Sequence, residues 1–269
     1  MAAVRPAAVA GSFYPGDPSA LAAEVATYLA DARDGARAAR APKAIIAPHA
    51  GYMYSGAIAA SIYARLAPLR STVRRVVLAG PAHRVHVAGA AIPGAEAFTS
   101  PLGTIALDHE ALARLRRLPF VEVSDRAHAL EHSLEVHLPF LQSVLGSFEL
   151  VPIVVGDASP EEAALLFETL WGGAETLIVV SSDLSHYLPY ESARGRDRAT
   201  ANAIVGLEAR LVPEEACGAA PINGLLRAAM KHGLVAEMVD LRNSGDTAGG
   251  RDRVVGYGAF AFTERAAGG

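Results

Sequence analysis

Three histidines and an aspartate in this chain come directly after short apolar runs. His49 follows Ile45-Ile46-Ala47-Pro48, His83 follows Val76-Val77-Leu78-Ala79-Gly80-Pro81-Ala82, and Asp183 and His186 follow Ile178-Val179-Val180-Ser181-Ser182. Imidazole changes charge nearest neutral pH and is the commonest metal ligand, so several such groups brought together can hold a metal ion or move protons. A lone histidine in a loop says little. The shared position after apolar runs says more, because each run reads as a strand, and open α/β sheets bind ligands in the crevice outside the carboxyl ends of their strands. Pro48 and Pro81 stiffen the backbone ahead of His49 and His83, and Gly51 lets the chain pass close to a ligand.

Further groups add to the set. Cys217, the only cysteine, lies just before a helical pattern that begins near Pro221. A sulfur there would feel the helix dipole and ionise readily as ligand or nucleophile; equally, a lone cysteine can be a small buried hydrophobe. In 128–145, Leu130, Leu134, Leu138, Leu141 and Leu145 share a helical register, which predicts one amphipathic helix. His132 and Glu135, three apart on one face, form a candidate pocket pair there. His132 and His137, five apart, do not share a face, and Pro139 is expected to kink the helix beyond them. In the polar segment 240–253, Asn243, Ser244 and Asp246 can offer hydrogen bonds at a pocket mouth, or can simply build a turn. His86, His109 and His232 lack comparable surroundings and read as surface or core residues.

The elements that must position these groups follow from hydrophobic period. Runs 43–47, 75–80, 150–156 and 176–182 read as strands buried on both faces, and 254–262 as a late strand. Helices fit from Asp17 as N-cap with Pro18 at N1, then 56–67, 108–118, 159–171 and 190–210, with a helix end plus loop over 31–42. Strand and helix in alternation predict a mostly parallel or mixed central sheet flanked by helices on both faces, a single α/β domain over 1–269. With 51% hydrophobic residues and a mean hydropathy of +0.24, the chain can fill a large core without staples. A net charge of −4 gives no basic face for nucleic acid or an anionic membrane. The single cysteine does not imply an oxidising compartment, and no signal-like or spanning apolar run is present, so the expected location is cytoplasmic.

Seven stretches, "AGSFYPGDP" (10–18), "APHAGYMYSG" (47–56), "GPAH" (80–83), "EHSLEVHLPFLQ" (131–142), "SSDLSHY" (181–187), "CGAAPI" (217–222) and "NSGDTAGGRDRVVGYGAFAF" (243–262), together resemble the Memo family, whose prokaryotic members are called AmmeMemoRadiSam system protein B. The resemblance implies a fold like that of the class III, LigB-type extradiol dioxygenases. It also implies a metal carried by the histidines of the "APHAGY" and "GPxH" motifs and the cysteine of the "CG" motif, which fall on His49, His83 and Cys217. Asp183 and His186 would lie next to that metal, with His132 and Glu135 lining the same region. Many relatives have a second histidine after the "GPxH" motif; this chain has Arg84, which reads either as an anion contact or as a solvated side chain.

On this reading a mononuclear centre takes Fe(II) first, with Cu or Zn as the other candidates, because a thiolate and two imidazoles turn the site away from hard Mg or Ca. His186 acts as acid or base and Asp183 fixes its tautomer, for a metal-dependent oxidation of a small organic substrate. The dioxygenase reaction is not carried over, since those enzymes hold iron with two histidines and a glutamate. Two other readings compete: a hydrolase with Cys217 as nucleophile and His186 with Asp183 as its base pair, and a non-enzymatic module that docks a peptide or partner protein in the same pocket. The family name also implies a pathway link to radical-SAM and AMMECR-type proteins, expected as separate chains because 269 residues leave no room for a fused domain.

Overall fold

Four strands that the apolar runs foretold lie side by side at the centre of the molecule. The computed structural model describes residues 3–36 and 40–265; residues 37–39 of the loop expected over 31–42 lie outside them. Numbered along the chain, the strands are β1 (Val4–Arg5), β2 (Ala44–Ala47), β3 (Arg75–Pro81), β4 (Ala90–Ile92), β5 (Ala97–Ser100), β6 (Gly103–Ala106), β7 (Val121–Val123), β8 (Glu149–Val155), β9 (Thr176–Ser181), β10 (His186–Leu188), β11 (Leu234–Asn243) and β12 (Val254–Glu264). The main sheet runs β10-β12-β2-β9-β3-β8-β4-β7, with β11 also paired to β12. β2, β9, β3 and β8 are mutually parallel, while β12 on β2 and β4 on β8 are antiparallel, so the sheet is mixed. β1, β5 and β6 form a small separate sheet.

Every residue of β2 and β9 is buried. Successive side chains on a strand point to opposite faces, so both faces of the central sheet are covered. The covering helices are α1 (Pro18–Ala36), α2 (Tyr52–Tyr63), α3 (His109–Leu115), α4 (Asp125–Ala129), α5 (His132–Glu135), α6 (Leu138–Val144), α7 (Pro160–Thr169), α8 (Tyr190–Val205) and α9 (Ala219–Lys231). Their starts are written in short signals. The Asp17 carboxylate accepts from Ala20 N–H at 2.8 Å, with Pro18 at the first helical position. Ser159 and Glu162 make a reciprocal capping box ahead of α7, which has Pro160 at its start.

The single helix predicted over 128–145 is not formed. The chain breaks there into α4, α5 and α6, with Leu130 65% exposed rather than on an apolar face. Glu131 takes an extended backbone and caps α5, and α6 restarts at Leu138 with Pro139 in its first turn. The leucine register was real as composition, but three short turns share it. β11 was also unforeseen, since its mixture of charged and apolar residues hides a strand that is paired along one edge to β12. Among the described residues no helix is long and apolar enough to cross a membrane.

Candidate metal centre

The carboxyl ends of β2, β3 and β9 lie along one edge of the sheet, with Ala47 opposite Ser181 and Pro81 at the end of β3. The three loops that leave these ends therefore carry His49, His83 and Asp183 into one crevice. A fourth segment reaches it from above. A Cβ on Gly80 would come within 2.9 Å of Leu134, 3.0 Å of Ser133 Oγ and 3.1 Å of Ser181 Cβ, so the bare glycine lets residues 133 and 134 lie directly on β3. Ser133 Oγ then donates to the Pro81 carbonyl at 2.9 Å. That close seat delivers His132 to the same crevice.

The imidazoles of His49, His83 and His132 each offer a nitrogen, and the three nitrogens lie within 4.8 Å of one another. Their ring centroids are 5.1 Å apart for His49 and His83, 5.4 Å for His49 and His132, and 4.7 Å for His83 and His132. His49 is buried, His132 partly so, and His83 faces solvent. Cys217 Sγ lies 3.4 Å from His49 Nε2. Two ligands of one ion, nitrogen at about 2.1 Å and sulfur at about 2.3 Å, stand roughly 3.1–3.6 Å apart for right-angled to tetrahedral geometry. The donor set fits a soft or borderline metal ion; the buried Nδ1 of His132 makes no hydrogen bond and lies 3.4 Å from Glu131 Oε1.

Electrostatics keep the His49 and His132 rings in ligand form. Burial holds His49 well below the ordinary histidine range, helped by repulsion from His83 and His132. Burial likewise lowers His132 to about 4. Burial alone would raise Glu131, but hydrogen bonds from the His83 ring and from the Ser133 and His83 backbone hold it at about 2. Asp183 is raised by burial to about 7. Cys217 stands just before α9, and burial, with Asp183 nearby, pushes its thiol up to about 12. A bound cation reverses that balance, since a coordinating thiol is deprotonated.

Other sequence-predicted residues fall differently. Asp183 does not pair with His186. Its Oδ1 accepts from His49 N–H at 2.8 Å, while His186 starts β10. His186 remains close enough to His49 and His83 for like charge to be felt. Beside it Tyr187 has φ of 59°, a strained backbone for a tyrosine that turns its ring to solvent under the Arg253 guanidinium. Glu135 is not a partner of His132: its fully buried carboxylate is filled by Arg5, by Ala8 and Val9 N–H, and by Tyr14 O–H. Asn243 and Ser244 build the turn after β11, Asn243 accepting from Gly245 N–H at 2.9 Å and Ser244 Oγ from Val255 N–H at 3.1 Å. Asn243 lines a separate groove with Tyr190, Arg194 and Arg242. His137 is buried against Tyr63, its Nδ1 2.8 Å from the Tyr63 hydroxyl.

Sequence reasoning missed Glu131 and Ser181 as partners of the rings. The available signals were a glutamate directly before His132 and a pair of serines ending an otherwise apolar strand. Gly218 also matters here. A Cβ on it would meet the carbonyl of Ser181, the last residue of β9, at 2.6 Å and Ser182 Cβ at 2.7 Å. Gly218→Ala is expected to cost about 1–3 kcal/mol by overpacking and to move Cys217 away from His49. Thermal melting, together with loss of the thiolate-to-metal absorption in Co(II)-loaded protein, checks both effects.

The family profile described as Memo-like protein matches residues 5–261. A MEMO1 family protein of Sulfolobus acidocaldarius is 34% identical, covering 96% of this chain and 99% of its own length. One of Aquifex aeolicus is 36% identical with the same coverage of 96% and 99%, and one of Archaeoglobus fulgidus is 32% identical over 94% and 97%. A solved structure of an uncharacterized Escherichia coli K12 protein aligns at 16% identity with a TM-score of 0.48, covering 81% of this chain and 99% of that one, too distant to inform the site.

Proposed function

Because this chain belongs to the Memo family, we propose that His49 and His83 hold a single metal ion, with Cys217 as third ligand and His132 as the adjacent donor. The carrying observation is the clustering of three imidazole nitrogens within 4.8 Å; Cys217 stands outside that cluster on the His49 side, its sulfur 3.4 Å from His49 Nε2. Imidazole and thiolate favour Fe(II), Cu or Zn over hard cations, and the resemblance to iron-dependent dioxygenases ranks Fe(II) first. When bound, such an ion supplies Lewis acidity and, if it is iron or copper, redox chemistry on a small organic substrate.

The chain's own residues serve that chemistry in distinct ways. His49 and His83 fix the ion at the crevice. Asp183 Oδ2, 3.9 Å from His49 Nε2, is the carboxylate oxygen placed to hold a proton beside it. His186, kept neutral by burial, is the base at the rim. Phe13, with its ring 4.9 Å from that of His132, shields one side from water. The cleft of about 210 Å³ lined by His83, Arg84, His86 and Asp157 admits a small ligand, and Arg84 favours one with negative charge. The protein acts in the cytoplasm in a pathway shared with radical-SAM and AMMECR-type proteins.

The hydrolase reading is weaker, because the ring in contact with the thiol is that of His49 and burial holds the thiol protonated. A docking module predicts no turnover with any metal. Metal-stripped protein titrated anaerobically with Fe(II) is expected to bind about one equivalent. His49→Ala and His83→Ala should abolish that binding, and Cys217→Ser should weaken it; undiminished binding in all three variants would sink the assignment.

A further inference from the structure

Glu131 and Ser181 touch the outer nitrogens of the two central rings. His83 Nδ1 is 2.9 Å from Glu131 Oε1, and the same carboxylate accepts His83 N–H on Oε2 at 2.6 Å and Ser133 N–H on Oε1 at 2.9 Å. One glutamate thus holds both the backbone and the ring of His83. His49 Nδ1 is 2.6 Å from Ser181 Oγ, and that hydroxyl donates its own hydrogen to the Ser133 carbonyl at 2.6 Å. Since a carbonyl can only accept, the serine hydrogen is spent, and the serine oxygen must accept from His49. Both chains of bonds end on one tripeptide, Glu131-His132-Ser133.

We infer that Glu131 and Ser181 are positioning residues that fix His83 and His49 in the Nδ1–H tautomer, so that each presents its Nε2 lone pair to the crevice. The inference deepens the metal reading above and rests on it for its purpose, although the tautomers themselves exist without a metal. Outer hydrogen bonds of this kind orient ligating imidazoles, and their loss typically weakens metal binding by about 10- to 100-fold. Neither residue would be a ligand of a bound ion. Glu131→Gln is nearly isosteric but cannot accept on both sides, because its amide nitrogen would face either the His83 backbone N–H or the His83 ring N–H as donor to donor. Ser181→Ala removes the hydroxyl hydrogen-bonded to His49 Nδ1 and should fold, since it deletes one oxygen from a buried strand end.

The test is long-range proton–nitrogen NMR of metal-free, full-length protein labelled at histidine, recorded at pH 8. Wild-type His49 and His83 should both show a protonated Nδ1 and an unprotonated Nε2. Glu131→Gln should mix the tautomers of His83 and leave His49 fixed, and Ser181→Ala should do the reverse, a crossed pattern that general loosening would not give. Co(II) titration of the same samples should show about 10- to 100-fold weaker binding in each variant. An Nε2–H signal on either ring in the wild type, or unchanged tautomers in the variants, overturns the inference. If Glu131→Gln does not fold, the His49 signal in Ser181→Ala still decides. Fixed tautomers in a protein that binds no Co(II) would instead overturn the metal reading alone.

Discussion

Glu135→Gln is expected to lower the unfolding free energy by about 3–5 kcal/mol, the range for breaking one partner of a buried ion pair. The carboxylate is fully buried and every acceptor position is used. Tyr14 O–H donates at 2.5 Å, Ala8 and Val9 N–H at 2.7 and 2.9 Å, and Arg5 completes the set with an ion pair. An amide offers one carbonyl where four donors converge, and its NH₂ would face a donor. Arg5 would stay buried with its charge uncompensated, still donating to the His128 and Glu131 carbonyls at 3.0 and 2.7 Å. Those two carbonyls belong to the segment that carries Glu131 and His132, so the N-terminal arm staples that segment in place. Urea unfolding at pH 7 reads the stability, and Co(II) affinity reads the consequence for the centre. A loss below about 1 kcal/mol, the scale of an exposed pair, would mean that the arm is not a structural clamp.

This staple was invisible in the sequence, whereas the crevice was not, and the difference has a physical cause. A strand buried on both faces writes itself as a continuous apolar run, and the first polar residue after it has nowhere to be but the sheet edge. His49, His83 and Asp183 were therefore legible from local pattern alone. Arg5 and Glu135 stand 130 residues apart, and nothing local to either says that they meet. The same holds for Glu131 and His83, which are 48 apart. The helix expected over 128–145 failed for a related reason: a 3.6-residue leucine period is satisfied by three separate turns, and the extended backbone at Glu131 carries no apolar signature. Asp183 and His186 were expected to pair because both follow the end of the same strand, β9. The backbone N–H of His49, exposed at the end of β2, is the nearer donor and takes the carboxylate instead.

Acidification from pH 7 to pH 5 is expected to destabilise the protein through histidines buried in the neutral form. His128 donates Nε2–H to the Ala91 carbonyl at 3.0 Å, and its Nδ1 has no partner; in His137 the Nε2 has none. A second proton on either ring would be a buried N–H without an acceptor. Burial accordingly lowers His128 to about 4 and His137 to about 3. Above pH 6.5 neither the folded nor the unfolded ring binds the proton, and stability is at its full value. Below 6.5 only the unfolded chain takes it up, so each ring costs about 1.4 kcal/mol per pH unit until its folded value is reached. Asp183 works in the opposite direction. Its folded value, raised to about 7, makes the native state the better proton acceptor between the ordinary aspartate range and neutrality, which offsets about one ring. The total slope is therefore a poor test, and a difference is a sharp one. Replacing His137 and its partner together, as His137→Phe with Tyr63→Phe, removes one titrating ring without leaving the tyrosine hydroxyl unpaired. Asp183 and His128 are common to both proteins and cancel. The loss of stability between pH 6.5 and pH 5 should be smaller in the double variant by about 2 kcal/mol, read from urea midpoints at each pH. Equal acid slopes would show that His137 protonates as easily in the folded chain as in the unfolded one.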